Sequence, residues 1–203
     1  MITIRVEEEK DYRDIEYLTR EAFWDLYHPG CSEHLIVHKI RKTTAFVREL
    51  SLIATDENCI VGSIIYSRAK IVNDKGQVFE VLCMGPLSVL PSRQREGIGS
   101  LLMRHSVDKA KGLGFKAIIL FGNPNFYHRF GFVNAENYGI QTATGENFPA
   151  FMVLELGDRA LRGMSGKFYA DPVFEVNKEE LESFEQGFPY KEKHVAKTQL
   201  KDE

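Results

Sequence analysis

The spacing of apolar residues along the first 41 positions predicts one strand followed by two helices. Apolar and polar residues alternate over residues 2–6, which is the period of a half-buried strand. Over residues 11–26 and 32–41, apolar residues recur every three or four positions, as on the buried face of a helix. We expect Asp11 to open the first helix, with an acidic residue three positions on in a capping-box-like arrangement, and Ser32 to cap the second.

The middle of the chain changes to the pattern of strands. Residues 51–55, 59–71 and 78–89 are rich in Val, Ile, Leu and aromatic residues, and polar turn sequences separate them. We therefore predict a three-stranded antiparallel meander. A broad apolar helical face over residues 97–111 and an almost wholly apolar run over residues 116–121 then predict a helix and a buried parallel strand.

The rest of the chain is less regular. We predict a short helix after residue 121, and strands around Phe132 and over residues 151–156. This order indicates one domain over residues 1–157 and a C-terminal extension over residues 158–203 that packs on it. Roughly the last 12 residues are charged, and we expect them to be disordered.

Composition limits the possible functions without choosing among them. The 203 residues suffice for one compact domain with a modest extension. The 26 Lys and Arg residues against 29 Asp and Glu residues give a net charge of −3, which favours neither nucleic acid nor an anionic membrane as a partner. Three widely separated cysteines, and no signal peptide or long apolar run, predict a cytoplasmic protein without disulfides, metal site or membrane segment.

The clearest chemical signal lies where the last meander strand leads into the following helix. The strand ends near Pro91 and the helix begins near Gly97, with Arg93 and Arg95 in the loop between them. The first turn of a helix offers unpaired N–H groups and the positive end of the helix dipole, so this loop predicts a diphosphate site. The phosphate loop of nucleoside triphosphatases is absent, and a dinucleotide-binding loop needs a small residue where Leu102 stands.

The loop resembles that of one known family. The pattern Gln94-x-x-Gly97-x-Gly99, preceded by the strand end Leu87-Ser-Val-Leu-Pro91, is similar to the pyrophosphate-binding loop of the GNAT superfamily of N-acetyltransferases.

A second motif resembles the same superfamily. Tyr127-x-x-x-Gly131-Phe132 matches its pattern, although Asn123 stands nearer to the tyrosine than the asparagine of the commoner form. This compact version resembles a bacterial subfamily of predicted acetyltransferases, and the resemblance covers residues 2–156.

The resemblance implies a fold and an activity. The fold would be α/β (α+β), with a central mixed, mostly antiparallel sheet of about seven strands, flanked by helices and splayed between strands 4 and 5. The activity would be transfer of the acetyl group of acetyl-CoA, the cosubstrate, to a primary amine in a direct ternary complex. The partner would be a small-molecule or peptide amine, and the protein a monomer or homodimer. A non-catalytic acyl-CoA-binding sensor is the alternative.

The resemblance also implies residue roles. Tyr127 would protonate the departing CoA thiolate, and the residues implied in binding acetyl-CoA are Leu87, Ser88, Val89, Gln94, Arg95, Glu96, Gly97, Ile98, Gly99, Ser100, Asn123, Phe126, Tyr127 and Phe130. A base must deprotonate the incoming ammonium, whose pKa is about 10. Glu80 is the first choice for this base, with Glu49 and Glu21 behind it, and its alternative is a solvated strand residue.

Two histidines on the second predicted helix raise the question of a metal. His34 and His38 stand four residues apart, but Leu35 follows His34 where a zinc protease would have a glutamate. We therefore interpret them as a solvated or core-edge pair, without a metal.

Overall fold

The computed structural model describes residues 1–196 and residue 199. Fourteen helices and strands follow one another within these residues, in the order β1 (Ile2–Val6), α1 (Tyr12–Phe23), α2 (Glu33–Ile40), β2 (Leu52–Asp56), β3 (Cys59–Val72), β4 (Val78–Val89), α3 (Ile98–Gly112), β5 (Ala117–Phe121), α4 (Pro124–Tyr127), β6 (Val133–Asn134), β7 (Ile140–Gln141), β8 (Phe151–Glu155), β9 (Gly166–Tyr169) and α5 (Lys178–Glu185). The disorder expected of the last residues falls in part outside the described residues.

One mixed sheet organises the fold. Its strands lie in the order β1-β2-β3-β4-β5-β8-β6, with β9 paired to β3 and to β7. The β4–β5 and β7–β9 pairs are parallel and the others antiparallel, so the predicted fold class is confirmed. The described part of the chain has nine strands instead of about seven, because β7 and β9 are too short to carry a strand period.

The residues after position 157 belong to the same sheet. Strand β9 pairs with β3, from Lys70 opposite Tyr169 to Val72 opposite Lys167. A side chain at Gly166 would collide with the backbone of β3, so glycine is required for this close approach. Strand β9 of the predicted extension thus belongs to the same sheet, and the boundary at residue 157 stays a prediction.

Asp11 directly precedes α1, as predicted, but its side chain makes no cap bond to that helix. The Asp11 carboxylate accepts hydrogen bonds from the Glu8 backbone N–H at 2.7 Å and from the two terminal nitrogens of Arg5 at 2.6 and 2.8 Å, instead of capping the helix. This bidentate pair with a guanidinium is stronger than a neutral cap, and it holds the pKa of Asp11 below its usual range. Ser32 likewise makes no side-chain cap bond to α2.

The sheet separates two apolar layers. Helix α3 packs on one face, against residues such as Leu82, Ile118 and Leu120, and α1 and α2 pack on the other. Because side chains alternate along a strand, Ile119 and Phe121 of β5 point to the face opposite α3. Within the described residues, none of the helices has the length and apolar character needed to cross a membrane.

Candidate active site

A gap opens in the sheet between β4 and β5. The two strands pair at Leu82 with Ile118 and at Cys83 with Ile119, and then diverge. Strand β5 continues against β8 as far as Phe121, and β4 stays paired with β3 as far as Val89, so the gap lies between two strands that both remain in the sheet. The splay expected between strands 4 and 5 is therefore present.

A bulge in β4 accounts for the divergence. Between Tyr66 and Ile64, β3 advances two residues while β4 advances three, from Met84 to Leu87. The extra residue falls at Gly85-Pro86, and proline has no N–H with which to continue a ladder. The last residues of β4 thus follow a separate path from β5 toward the start of α3.

The loop of residues 94–100, here called the α3 loop, joins the end of β4 to the start of α3. Gly97 precedes the first helical residue with a left-handed φ of 86°. The Gln94 side-chain amide donates to the Val89 carbonyl oxygen at 3.3 Å and ties the loop to the strand. A Cβ on Gly99 would lie 3.6 Å from the Val89 side chain and 3.8 Å from the Phe126 ring. The helix start therefore borders the gap, and its first N–H groups have no partner within the helix, which is an arrangement that can bind an anion.

Three arginines lie around the α3 loop, and they differ in their partners. Arg93 is engaged by Asp56 at 3.1 Å and Glu96 at 2.8 Å. Arg95 makes no ion pair among the described residues, and Arg129 donates to the Ser100 hydroxyl at 3.1 Å. The sequence motifs did not indicate Arg129, because it reaches α3 only through the fold of the turn after α4.

The phenol of Tyr127 borders the gap from the β5 side. Asn123 caps α4 by accepting from the Asn125 N–H at 3.0 Å, which fixes this four-residue helix. The Tyr127 ring packs against Gly122, where any side chain would collide with it. Burial, and secondarily the nearby Tyr27, raise the pKa of Tyr127. Its hydroxyl hydrogen-bonds no other group among the described residues, so a protonated donor stands at the gap.

Helix α1 covers the end of β4 on the opposite face. The buried Ser88 hydroxyl donates to the Thr19 hydroxyl oxygen at 3.2 Å. The Ser88 side chain therefore points away from the α3 loop, in contrast to the side chains of Leu87 and Val89, which face Gly99.

The comparisons agree with this geometry. A family model of the acetyltransferase (GNAT) domain matches residues 48–134. The uncharacterized N-acetyltransferase YhbS of Escherichia coli is 29% identical over 164 residues, which are 80% of this chain and 92% of that protein. The fold of this chain is that of the GNAT acetyltransferases, and residues 48–134 match the domain model of that family.

Two solved structures of this family resemble the whole arrangement. The crystal structure of YhbS in complex with CoA has a TM-score of 0.77 at 27% identity and covers 86% of this chain and 92% of its own. A GNAT family acetyltransferase from Brucella melitensis in complex with acetyl-CoA has a TM-score of 0.69 at 29% identity and covers 86% of this chain and 98% of its own.

Glu80 lies away from the gap of this GNAT fold. It precedes Leu87 by seven residues on β4, which is roughly 20 Å along a strand. It is exposed, pairs with Arg68 at 2.7 Å and lines a cleft with Glu49 and Phe115, beyond the far end of α3. The geometry therefore separates Glu80 and Glu49 from the site. The third carboxylate, Glu21 on α1, pairs with Lys191 at 2.6 Å.

The two histidines of α2 have different protein partners. His34 is fully buried and hydrogen-bonds Glu185 at 2.8 Å, and His38 hydrogen-bonds Glu16 at 2.8 Å. Among the described residues, no cluster of three or more His, Cys, Asp or Glu side chains could hold a metal ion.

Proposed function

We propose that the protein transfers the acetyl group of acetyl-CoA to a primary amine while both are bound. The observation that carries this proposal is the gap between β4 and β5, which opens beside the start of α3 and has the Tyr127 phenol on its edge. The complexes of the two relatives with CoA and acetyl-CoA support the choice of cosubstrate.

The residues around the gap fit the parts of acetyl-CoA. The N–H groups of residues 95–100 would hold the pyrophosphate, with the Arg95 and Arg129 guanidiniums beside them. The backbone groups of Leu87 and Val89 would pair with the pantetheine amides as an added strand does. The remaining residues predicted to bind the cosubstrate lie on these same elements or on α4 and the turn that follows it.

Acetyl-CoA supplies the thioester, and the protein orients it and handles the protons. The amine nitrogen forms its bond to the acetyl carbon while the carbon–sulfur bond breaks. Tyr127 gives its proton to the leaving sulfur and is restored by the proton that the amine releases, by way of water. A backbone N–H near Leu87 would polarise the thioester carbonyl.

Ligand-dependent stability tests the cosubstrate. CoA and acetyl-CoA should raise the melting temperature in proportion to the logarithm of their concentration, whereas NAD and ATP should not. Release of CoA thiol should then require an added primary amine. Stabilisation by NAD or ATP without stabilisation by CoA would contradict the proposal, and CoA binding without turnover of any amine would favour a sensor.

A further inference from the structure

Aromatic side chains gather at the ends of β5 and β8, on the face opposite α3. The Phe121 and Phe148 rings stack with centroids 5.9 Å apart at 27°, and Phe121 stacks on the buried Phe151 with centroids 5.0 Å apart at 16°. Phe121 is 51% exposed and Phe148 is 41% exposed. We call these three residues the aromatic platform. Two outer rings that stay open to solvent over a fixed inner ring form a rigid apolar surface.

The aromatic platform lies directly behind the reactive end of the gap. Phe121 precedes Gly122, and the Tyr127 ring packs against Gly122. Tyr127 joins the apolar layer under α3, as Leu120 does, whereas Phe121 faces the other way. The end of β5 therefore presents a phenol to one face of the sheet and a phenyl ring to the other. A ternary complex requires this separation, because the amine must reach the thioester carbon from a side that the rest of acetyl-CoA does not occupy.

The platform itself carries no charge. Its three members are phenylalanines, and the nearest carboxylate in the sequence, Glu146, accepts a hydrogen bond from the Thr144 hydroxyl at 2.7 Å. A polyamine needs several carboxylates to meet its charges, whereas an aromatic body needs the flat surface that the platform offers.

We propose that the acceptor is a primary amine carried on an aromatic or flat apolar body, which stacks on the Phe121 and Phe148 rings and directs its amine into the gap between β4 and β5, where the thioester would lie. This substrate class rests on the proposed acetyl transfer. The platform selects among amines by stacking, and the reaction itself needs only the nitrogen.

Two probes, one with a phenyl ring and one with a methyl group at the same position, test the stacking. 2-Phenylethylamine and n-propylamine have similar amines, and spermidine represents the polyamines. We expect kcat/KM for 2-phenylethylamine to exceed that for either of the others by at least about tenfold. Binding of 2-phenylethylamine to the CoA-loaded protein, followed by saturation-transfer NMR, gives a readout that does not depend on turnover.

Phe148→Ala should lower kcat/KM for 2-phenylethylamine about tenfold through KM and leave that for n-propylamine unchanged. Phe148→Leu keeps apolar volume without the flat ring, so its kcat/KM for 2-phenylethylamine should lie between those of the unchanged protein and Phe148→Ala. This variant also keeps the test valid if the alanine variant misfolds. The control is Leu113→Ala, at the far end of α3, where the side chain is 45% exposed. It should leave both amines unaffected.

The outcomes separate the platform from the proposed transfer. Equal use of n-propylamine or spermidine, or an equal loss for all amines in Phe148→Ala, would leave the transfer intact and overturn the platform. Binding of 2-phenylethylamine that depends on Phe148, without release of CoA thiol, would support the platform and contradict the transfer.

Discussion

The α3 loop and the contact between α5 and the first two helices differ in how they are built. The α3 loop consists of seven consecutive residues, and its proposed ligand groups are backbone N–H groups at a helix start. The α5 contact joins side chains far apart in the sequence: Arg20 and His34 both bond Glu185, at 2.7 and 2.8 Å. We call Arg20, Cys31, His34 and Glu185 the α5 cluster. Local backbone geometry can be changed with little effect on the fold, whereas a buried polar cluster is costly to disturb.

The protons of the α5 cluster are arranged so that each group is satisfied. Burial lowers the pKa of His34, which keeps the ring neutral. With its Nε2–H donated to Glu185, the His34 Nδ1 accepts from the Cys31 thiol at 3.4 Å. Burial also raises the pKa of Cys31, so the thiol keeps its hydrogen. The Glu185 carboxylate balances the Arg20 guanidinium, whose side chain is 4% exposed.

The largest expected effect is on stability and comes from the α5 cluster. Glu185→Ala removes the closest carboxylate from the buried Arg20 guanidinium and leaves it with the Pro189 carbonyl at 3.1 Å and the Glu21 carboxylate at 3.8 Å. We expect the free energy of unfolding to fall by about 3 kcal/mol. Chemical denaturation measures this loss. The control is Glu182→Ala on the same helix, where an exposed side chain lies 4.0 Å from Lys178 and the change should stay below about 0.5 kcal/mol. An equal fall in the free energy of unfolding for the two variants would mean that Glu185 contributes to stability only through helix propensity, and not through its bond to Arg20.

A second prediction concerns Tyr127, at the end of α4. Tyr127→Phe keeps the ring that packs on Gly122 and removes the hydroxyl. Its pKa is raised above the usual value of about 10, so the phenol gives up its proton only as charge develops on sulfur. We expect kcat to fall about 100-fold while the Kd of acetyl-CoA changes little. Equal losses in rate and binding would instead assign Tyr127 to the wall of the gap.

The sequence predicted the α3 loop and missed the α5 contact for the same physical reason. Gly97 and the helix after it are neighbours in the chain, so their pattern is readable. Glu185 and Arg129 act on residues that only folding brings near, and no spacing signals that. The order of the main elements was predictable because each is long enough to show its period.

Two side chains differ from the sequence prediction for the same reason. The sequence places Asp11 correctly at the start of α1, but the cap bond is absent because Arg5 on β1 binds its carboxylate. Glu80 is the first choice for the base because it lies on β4, but its position along the strand relative to the splay depends on the tertiary fold.

The smallest expected effect is on ligand binding at the α3 loop. Gly76 offers a matched control that separates a loss of binding from a loss of stability. Gly97 has a φ of 86° and Gly76, in the β3–β4 turn, has a φ of 75°. A Cβ at either position would meet no atom within 4 Å. Valine should therefore cost similar stability at both sites, about 2 kcal/mol, from the left-handed backbone alone.

Gly97→Val should in addition weaken acetyl-CoA binding about 10-fold, because its branched side chain stands where the diphosphate approaches the helix start. Gly76→Val should leave that affinity unchanged, since its turn lies at the opposite end of β4 from the α3 loop. Isothermal titration at a temperature where both variants are folded measures the two affinities. A loss of affinity shared by both variants would trace it to general destabilisation, and normal binding by Gly97→Val would place the diphosphate elsewhere. Loss in Gly97→Val alone would mean that the open space beside this glycine, and not its flexibility, is what the cosubstrate requires.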